Sequence, residues 1–138
     1  MSGPSVQELQ ALLDKSPLGR FLGIVIEGAD TEAAALKLTM PMRPEIERMT
    51  GTGQYHGGVI GTFIDVAGDF AVAAMIGGAV PTINLRTDYL RPAQGKQLRA
   101  TAHVRRLGRT IAVVDIDVFD EGGKLVAVGR GTYGTKQG

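Results

Sequence analysis

Tyr55-His56-Gly57-Gly58-Val59-Ile60-Gly61-Thr62-Phe63-Ile64-Asp65 joins a glycine-rich turn to an apolar segment, with a carboxylate nine positions after the histidine. Glycine lets a backbone come close to a ligand. The first N–H groups of a helix lack acceptors inside the helix and attract negative charge. A carboxylate two turns into an apolar helix is costly to place without a reason. Together these supply a donor for a developing oxyanion and a nearby base or nucleophile, two ingredients of acyl transfer. The segment Val59 to Ile76 is apolar nearly all round, as a core helix is, and Gly77-Gly78 stops it. Asp65 and Asp69 inside it, with Gly61, Thr62 and Gly68, speak against a membrane span, because interior carboxylates are expensive in lipid. Small residues at Gly61, Ala67, Gly68, Ala71, Ala73 and Ala74 would let a sheet approach the helix closely.

Upstream, Ser5 to Lys15 reads as a short amphipathic helix. Ser5 and Glu8 form a capping pair, Val6, Leu9, Leu12 and Leu13 share a face, and Ser16-Pro17 ends the helix. Phe21 to Glu27 and Glu32 to Met40 read as strands separated by a turn at Gly28-Ala29-Asp30, and Pro41 to Gly53 as a loop. Downstream, Thr82 to Leu90 is strand-like and a turn follows at Pro92-Ala93-Gln94-Gly95. Leu98, Ala100, Ala102 and Val104 alternate with Arg99, Thr101, His103 and Arg105, the period of a half-buried strand. Turns at Leu107-Gly108-Arg109 and Glu121-Gly122-Gly123 set off strands at Thr110 to Phe119 and Lys124 to Tyr133. The expected fold is α+β: an antiparallel sheet wrapped around one long central helix. Residues 1–15 form an N-terminal extension to a single domain over 16–138.

With 138 residues and 43% hydrophobic content, the chain can bury a full core. Its net charge of +1 supplies no global field for nucleic acid or membrane surfaces. Having no cysteine, it can use neither a disulfide nor a thiolate nucleophile. Two separated histidines make no histidine-based metal cage, and neither a metal nor a separate cofactor is expected. The first five residues lack the basic and apolar regions of a signal peptide, so the expected compartment is the cytoplasm.

The chain resembles the hotdog-fold acyl-CoA thioesterases, in particular the phenylacetate-pathway type with a His-Gly-Gly signature. The resemblance runs from about Ser16 to Thr135. It rests on His56-Gly57-Gly58, on Asp65 nine residues later, on Tyr89-Leu90-Arg91-Pro92-Ala93 and on Leu107-Gly108-Arg109-Thr110. It implies homodimers that join their sheets edge to edge and assemble into tetramers. It also implies active sites at the dimer interface, where the turn of one subunit faces the helix carboxylate of the other. The Gly57 N–H would polarise the thioester carbonyl and Asp65 would be general base or nucleophile. His56 would hold the turn or orient substrate, and the Thr82 hydroxyl would help place the attacking water. Gly58 belongs to the same substrate-binding turn. Relatives often carry Asn where this chain has Thr50, and Gln54 is the candidate to supply that polarity.

Further positions are substrate-binding candidates. Asp69, one turn beyond Asp65 on much the same helix face, would tune Asp65 by like-charge repulsion or line the site. Arg91 and Arg109 flank turns and suit the phosphates of coenzyme A, as do Arg105 and Arg106. The expected reaction is hydrolysis of an acyl- or aryl-CoA to the free acid and coenzyme A. A non-enzymatic acyl-CoA-binding module on the same fold is the second reading. A hotdog dehydratase or hydratase, which uses a histidine–carboxylate pair at a different spacing, is the third.

Overall fold

A computed structural model describes residues 3–136 of the chain. The elements in chain order are α1 (Val6–Leu13), α2 (Pro17–Leu22), β1 (Val25–Asp30), β2 (Ala35–Pro41) and a 3-10 turn (Pro44–Ile46). After these come α3 (Gly57–Ile76), β3 (Thr82–Tyr89), β4 (Gln97–Leu107), β5 (Ile111–Phe119) and β6 (Leu125–Gly134). Six antiparallel strands form one sheet in the order β1-β2-β4-β5-β6-β3. The sheet curls around α3, giving the hotdog-like α+β fold that the apolar helix and strand order predict.

Burial explains the wrap. Ile60, Phe63, Ile64, Ala67, Phe70, Ala71 and Val72 of α3 meet the inward residues of the strands, among them Leu36, Leu38, Leu98, Ala100, Ile116 and Val118. Each large apolar side chain so buried contributes roughly 1.5–3 kcal/mol. Tyr133 of β6 fills the tightest place. Its ring lies over Gly68 of α3 and Gly131 of its own strand, and a Cβ at either glycine would run into it. A tyrosine this deep requires both glycines.

Two expectations upstream are corrected. Ser16-Pro17 does not simply end α1. Ser16 caps a second helix, its side chain accepting from the Gly19 N–H at 3.1 Å, with Pro17 in the first turn and Gly23 closing the helix at φ 68°. That is the proline-first, glycine-last arrangement of a short helix, so Phe21 and Leu22 are helical and the strand begins at Val25. Nor is Gly28-Ala29-Asp30 the turn. Gly28 sits at a bulge in β1, where the register with β2 slips. The chain reverses over Thr31 to Ala34, where the Asp30 carboxylate accepts from the Ala33 N–H at 3.1 Å.

The two edges of the sheet are treated differently. On β1, the Gln10 amide of α1 behaves like a neighbouring strand, donating to the Ile24 carbonyl at 3.1 Å and accepting from the Ile26 N–H at 2.7 Å. Leu9 and Leu13 of the same helix are buried in the core. The opposite edge, β3, has no strand beyond it among the described residues and exposes Ile83 and Leu85. An uncovered apolar edge is a template for pairing with another chain.

Candidate active site

At the start of α3, His56 takes up every first-turn backbone N–H but one through its side chain and its carbonyl. His56 is the N-cap in extended conformation, and its Nδ1 accepts from the Gly58 N–H at 2.9 Å. This bond places the proton of the neutral imidazole on Nε2. Val59 and Ile60 donate to the His56 carbonyl. Among the described residues nothing accepts from the Gly57 N–H, which leaves it as the open donor at the positive end of a 20-residue helix. The Tyr89 hydroxyl donates to the Gly57 carbonyl at 2.6 Å and holds this first turn against the end of β3.

The approach to the turn is fixed from behind. The His56 N–H donates to the Ile46 carbonyl at 2.9 Å, the Tyr55 N–H to Ala93 at 2.9 Å, and the Tyr55 hydroxyl to Gly95 at 3.0 Å. Burial pushes the Tyr55 phenol well above its usual range, so it stays a neutral donor. A cleft of about 410 Å³ opens beside Gly57, lined by Arg48, Gln54, Ile60, Tyr89 and Arg91 among others. It thus brings together Gly57, Gln54 and Arg91 of the expected residues. Thr50 sits exposed on the Arg48–Gln54 loop and does not line the cleft, nor does Arg109, on the β4–β5 turn. Gly58 is committed to its histidine. His103 is exposed on the outer face of the sheet, paired in register with Asp115.

Two turns along α3 lies a second cluster. Thr82, the first residue of β3, donates its hydroxyl to Asp65 Oδ1 at 2.7 Å, and no other hydrogen bond among the described residues reaches Oδ2. The Tyr133 hydroxyl donates to the Asp65 backbone carbonyl at 3.0 Å and so braces the helix where the acid sits. Burial first, then the Asp65 and Asp69 charges, push the Tyr133 phenol far above its usual range. Asp69 Oδ1 accepts from the Val80 N–H at 3.0 Å. Burial, reinforced by the Asp65 charge and opposed by that hydrogen bond, pushes Asp69 up to about 6.

The raised Asp69 acid makes the stability of the fold depend on pH. An acid whose folded value lies above its ordinary 3.8 binds more protons folded than unfolded between about pH 4 and 6. Its contribution to stability is therefore full below about pH 4 and lost as pH rises through about 6. Relative to the wild type, Asp69→Asn should gain on the order of 2 kcal/mol between about pH 4 and about pH 7. Denaturant unfolding of both proteins at the two pH values measures this, and a constant gap between them would contradict it.

Asp65 and Gly57 do not meet within one chain. Eight residues separate them on one helix, about 12 Å along its axis and about 80° around it. Each cluster is tied to one end of β3, Gly57 to Tyr89 and Asp65 to Thr82.

The thioesterase superfamily pattern matches residues 52–127. The chain belongs to the thioesterase superfamily. Among its relatives in the superfamily is human acyl-coenzyme A thioesterase 13, 33% identical over 72% of this chain and 74% of that protein. Another is the medium/long-chain acyl-CoA thioesterase YigI of Escherichia coli, 30% identical over 85% of this chain and 84% of that one. The structure of Escherichia coli PaaI, from the phenylacetic acid degradation operon, superposes with a TM-score of 0.82 at 28% identity, covering 96% of this chain and 93% of PaaI. The matched span of this thioesterase-superfamily chain holds the His-Gly-Gly turn, all of α3 and Asp65, Asp69, Thr82 and Tyr89.

Three residues of the clusters escape a reading of sequence alone. Tyr89 appears there only as part of a motif, not as the clamp on Gly57. Tyr133 is foreshadowed only by glycines at Gly68 and Gly131, which lie far apart along the chain. Arg48 reaches the cleft through a loop closed by the Glu47 carboxylate on the Gly53 N–H at 2.8 Å, and it bonds the Gln54 amide oxygen at 3.2 Å.

Proposed function

We propose that the chain hydrolyses acyl-CoA thioesters at a site completed by a second copy of itself. The observation that carries this reading is the single open N–H of Gly57 beside a cleft, with its neighbour Gly58 closed off by His56. One fixed donor aimed at a carbonyl oxygen stabilises the charge that develops there more than the ground state. Asp65, with Oδ2 free and Oδ1 held by Thr82, takes a proton from water. The hydroxide adds to the thioester carbon, and the carbonyl electron pair moves onto the oxygen facing the Gly57 N–H. Collapse of that oxyanion breaks the C–S bond, and the coenzyme A thiolate leaves with the electron pair. Direct attack by Oδ2 to give an anhydride uses the same atoms. Arg91 and Arg48 at the cleft suit the phosphates of coenzyme A.

The second copy follows from the edges. Antiparallel pairing of β3 with another β3 about a two-fold axis sets the Thr82 end of one strand against the Tyr89 end of the other. Asp65 of one chain then approaches Gly57 of its partner, while the open edge and Ile83 and Leu85 are covered. At β1 the Gln10 amide already occupies the beginning of the corresponding edge. Two dimers joined as a tetramer are the assembly proposed from the resemblance.

A free-thiol assay with short-chain, medium-chain and aromatic acyl-CoAs tests the activity. Thiol release from at least one class is expected. Binding of all three without release would leave the non-enzymatic reading in its place.

A further inference from the structure

Asp69 is a half-buried carboxylate that the proposed reaction does not use. It stands one turn from Asp65, and the two grip the same short segment. Asp69 Oδ1 holds the Val80 N–H at 3.0 Å and Asp65 Oδ1 holds the Thr82 hydroxyl at 2.7 Å, two residues further on. Pro81 between them has no N–H to offer, and its carbonyl accepts from the Gly134 N–H at 2.9 Å. Val80 is 6% exposed, so its N–H needs a protein partner. Asp69 is the only helix side chain among the described residues that bonds the connection from Gly77 to Pro81.

We propose that Asp69 is a positioning residue, which by holding the Val80 N–H fixes the Thr82 hydroxyl on Asp65 and keeps Oδ2 turned to the attacking water. This rests on the reading of Asp65 as the group that activates water. An ionised carboxylate holds an N–H in a charge-assisted bond, stronger than the bond to its neutral form. Asp69 faces Asp65 on its own helix, the Tyr133 phenol from β6 and the Val80 N–H from the connection before β3, and no cation among the described residues offsets its charge. Its ionisation at about 6 therefore sets the pH at which the grip tightens.

Asp65→Asn, Asp69→Ala and Asp69→Asn are assayed for thiol release from about pH 5 to about pH 8, with kcat and KM separated. Asp69→Ala should lose about 10- to 100-fold in kcat while KM moves by less than about 3-fold, the mark of lost orientation rather than lost binding. In Asp69→Asn the amide oxygen still accepts from Val80. That variant should recover most of the lost kcat and should lack the rise through about pH 6 expected of the wild type. Wild-type kcat in Asp69→Ala, or the same rise persisting in Asp69→Asn, overturns the proposal. If Asp69→Ala does not fold, the pH profile of Asp69→Asn decides alone. Full turnover in Asp65→Asn would remove the base assignment, and this inference with it. An inactive Asp65→Asn beside unaffected Asp69 variants would remove the positioning role only.

Discussion

Asp65→Asn is expected to lower thiol release by about 100- to 10,000-fold, the range over which a positioned base contributes. The substitution keeps the shape of the side chain. Its amide oxygen can still accept the Thr82 hydroxyl that Asp65 Oδ1 holds at 2.7 Å, and the Tyr133 bond to the backbone carbonyl does not involve the side chain at all. What disappears is the free basic oxygen, replaced by an NH2 that can neither take a proton from water nor attack a carbonyl. Binding of acyl-CoA should change little, because the Gly57 cleft with Arg48 and Arg91 is untouched. Steady-state kinetics and equilibrium binding of coenzyme A to the variant separate the two effects. Retained turnover would remove Asp65 from the chemistry, and lost binding would make it a substrate contact.

Gly57→Ala should be nearly as damaging to turnover, on the order of 100-fold, and for a different reason. A Cβ at Gly57 meets only the Tyr89 ring, at 3.6 Å or more, which is ordinary contact. Alanine is also a better helix former than glycine. The variant should therefore fold at least as stably as the wild type. The added methyl narrows the approach of a carbonyl oxygen to the one open N–H and tilts it out of line. A drop in kcat with an undiminished melting temperature is the expected pair of results. Wild-type kcat would show that no close approach to this backbone occurs. Gly68→Ala is the informative contrast, since a Cβ there strikes the buried Tyr133 ring, and its loss of activity would come through folding.

Much of this arrangement is legible in the sequence. The apolar run ended by Gly77-Gly78 marks the central helix, and the strict alternation from Leu98 to Arg105 marks a strand half facing it. Punctuation near Ser16 and Gly28 is where the reading slips. Ser-Pro carries two meanings, the end of one helix or the cap and first turn of the next. Only Gly23, seven residues after Ser16, shows that the second applies. A glycine flanked by strand-like residues likewise fits a turn or a bulge, and cross-strand register settles it at Gly28. At the site, the His-Gly-Gly turn and the nine-residue spacing mark Gly57 and Asp65 as candidates, and the family resemblance pairs them. Neither reveals that they are served by opposite ends of one strand, because hydrogen bonds from Tyr89 and Thr82 depend on how the sheet wraps the helix. The grip of Asp69 on Val80 is invisible for the same reason.

In the proposed dimer Gly57 of one chain works with Asp65 of the other, and mixing two inactive variants probes that pairing. Asp65→Asn and Gly57→Ala are co-expressed with different affinity tags, and thiol release is measured on the purified mixed dimer. In such a dimer one site carries both substitutions and the other carries neither. Activity should return to about half that of the wild-type dimer, since one of two symmetric sites is intact. If the mixed dimer is as inactive as its parents, Gly57 and Asp65 act within one chain or not at all, and the shared site is wrong.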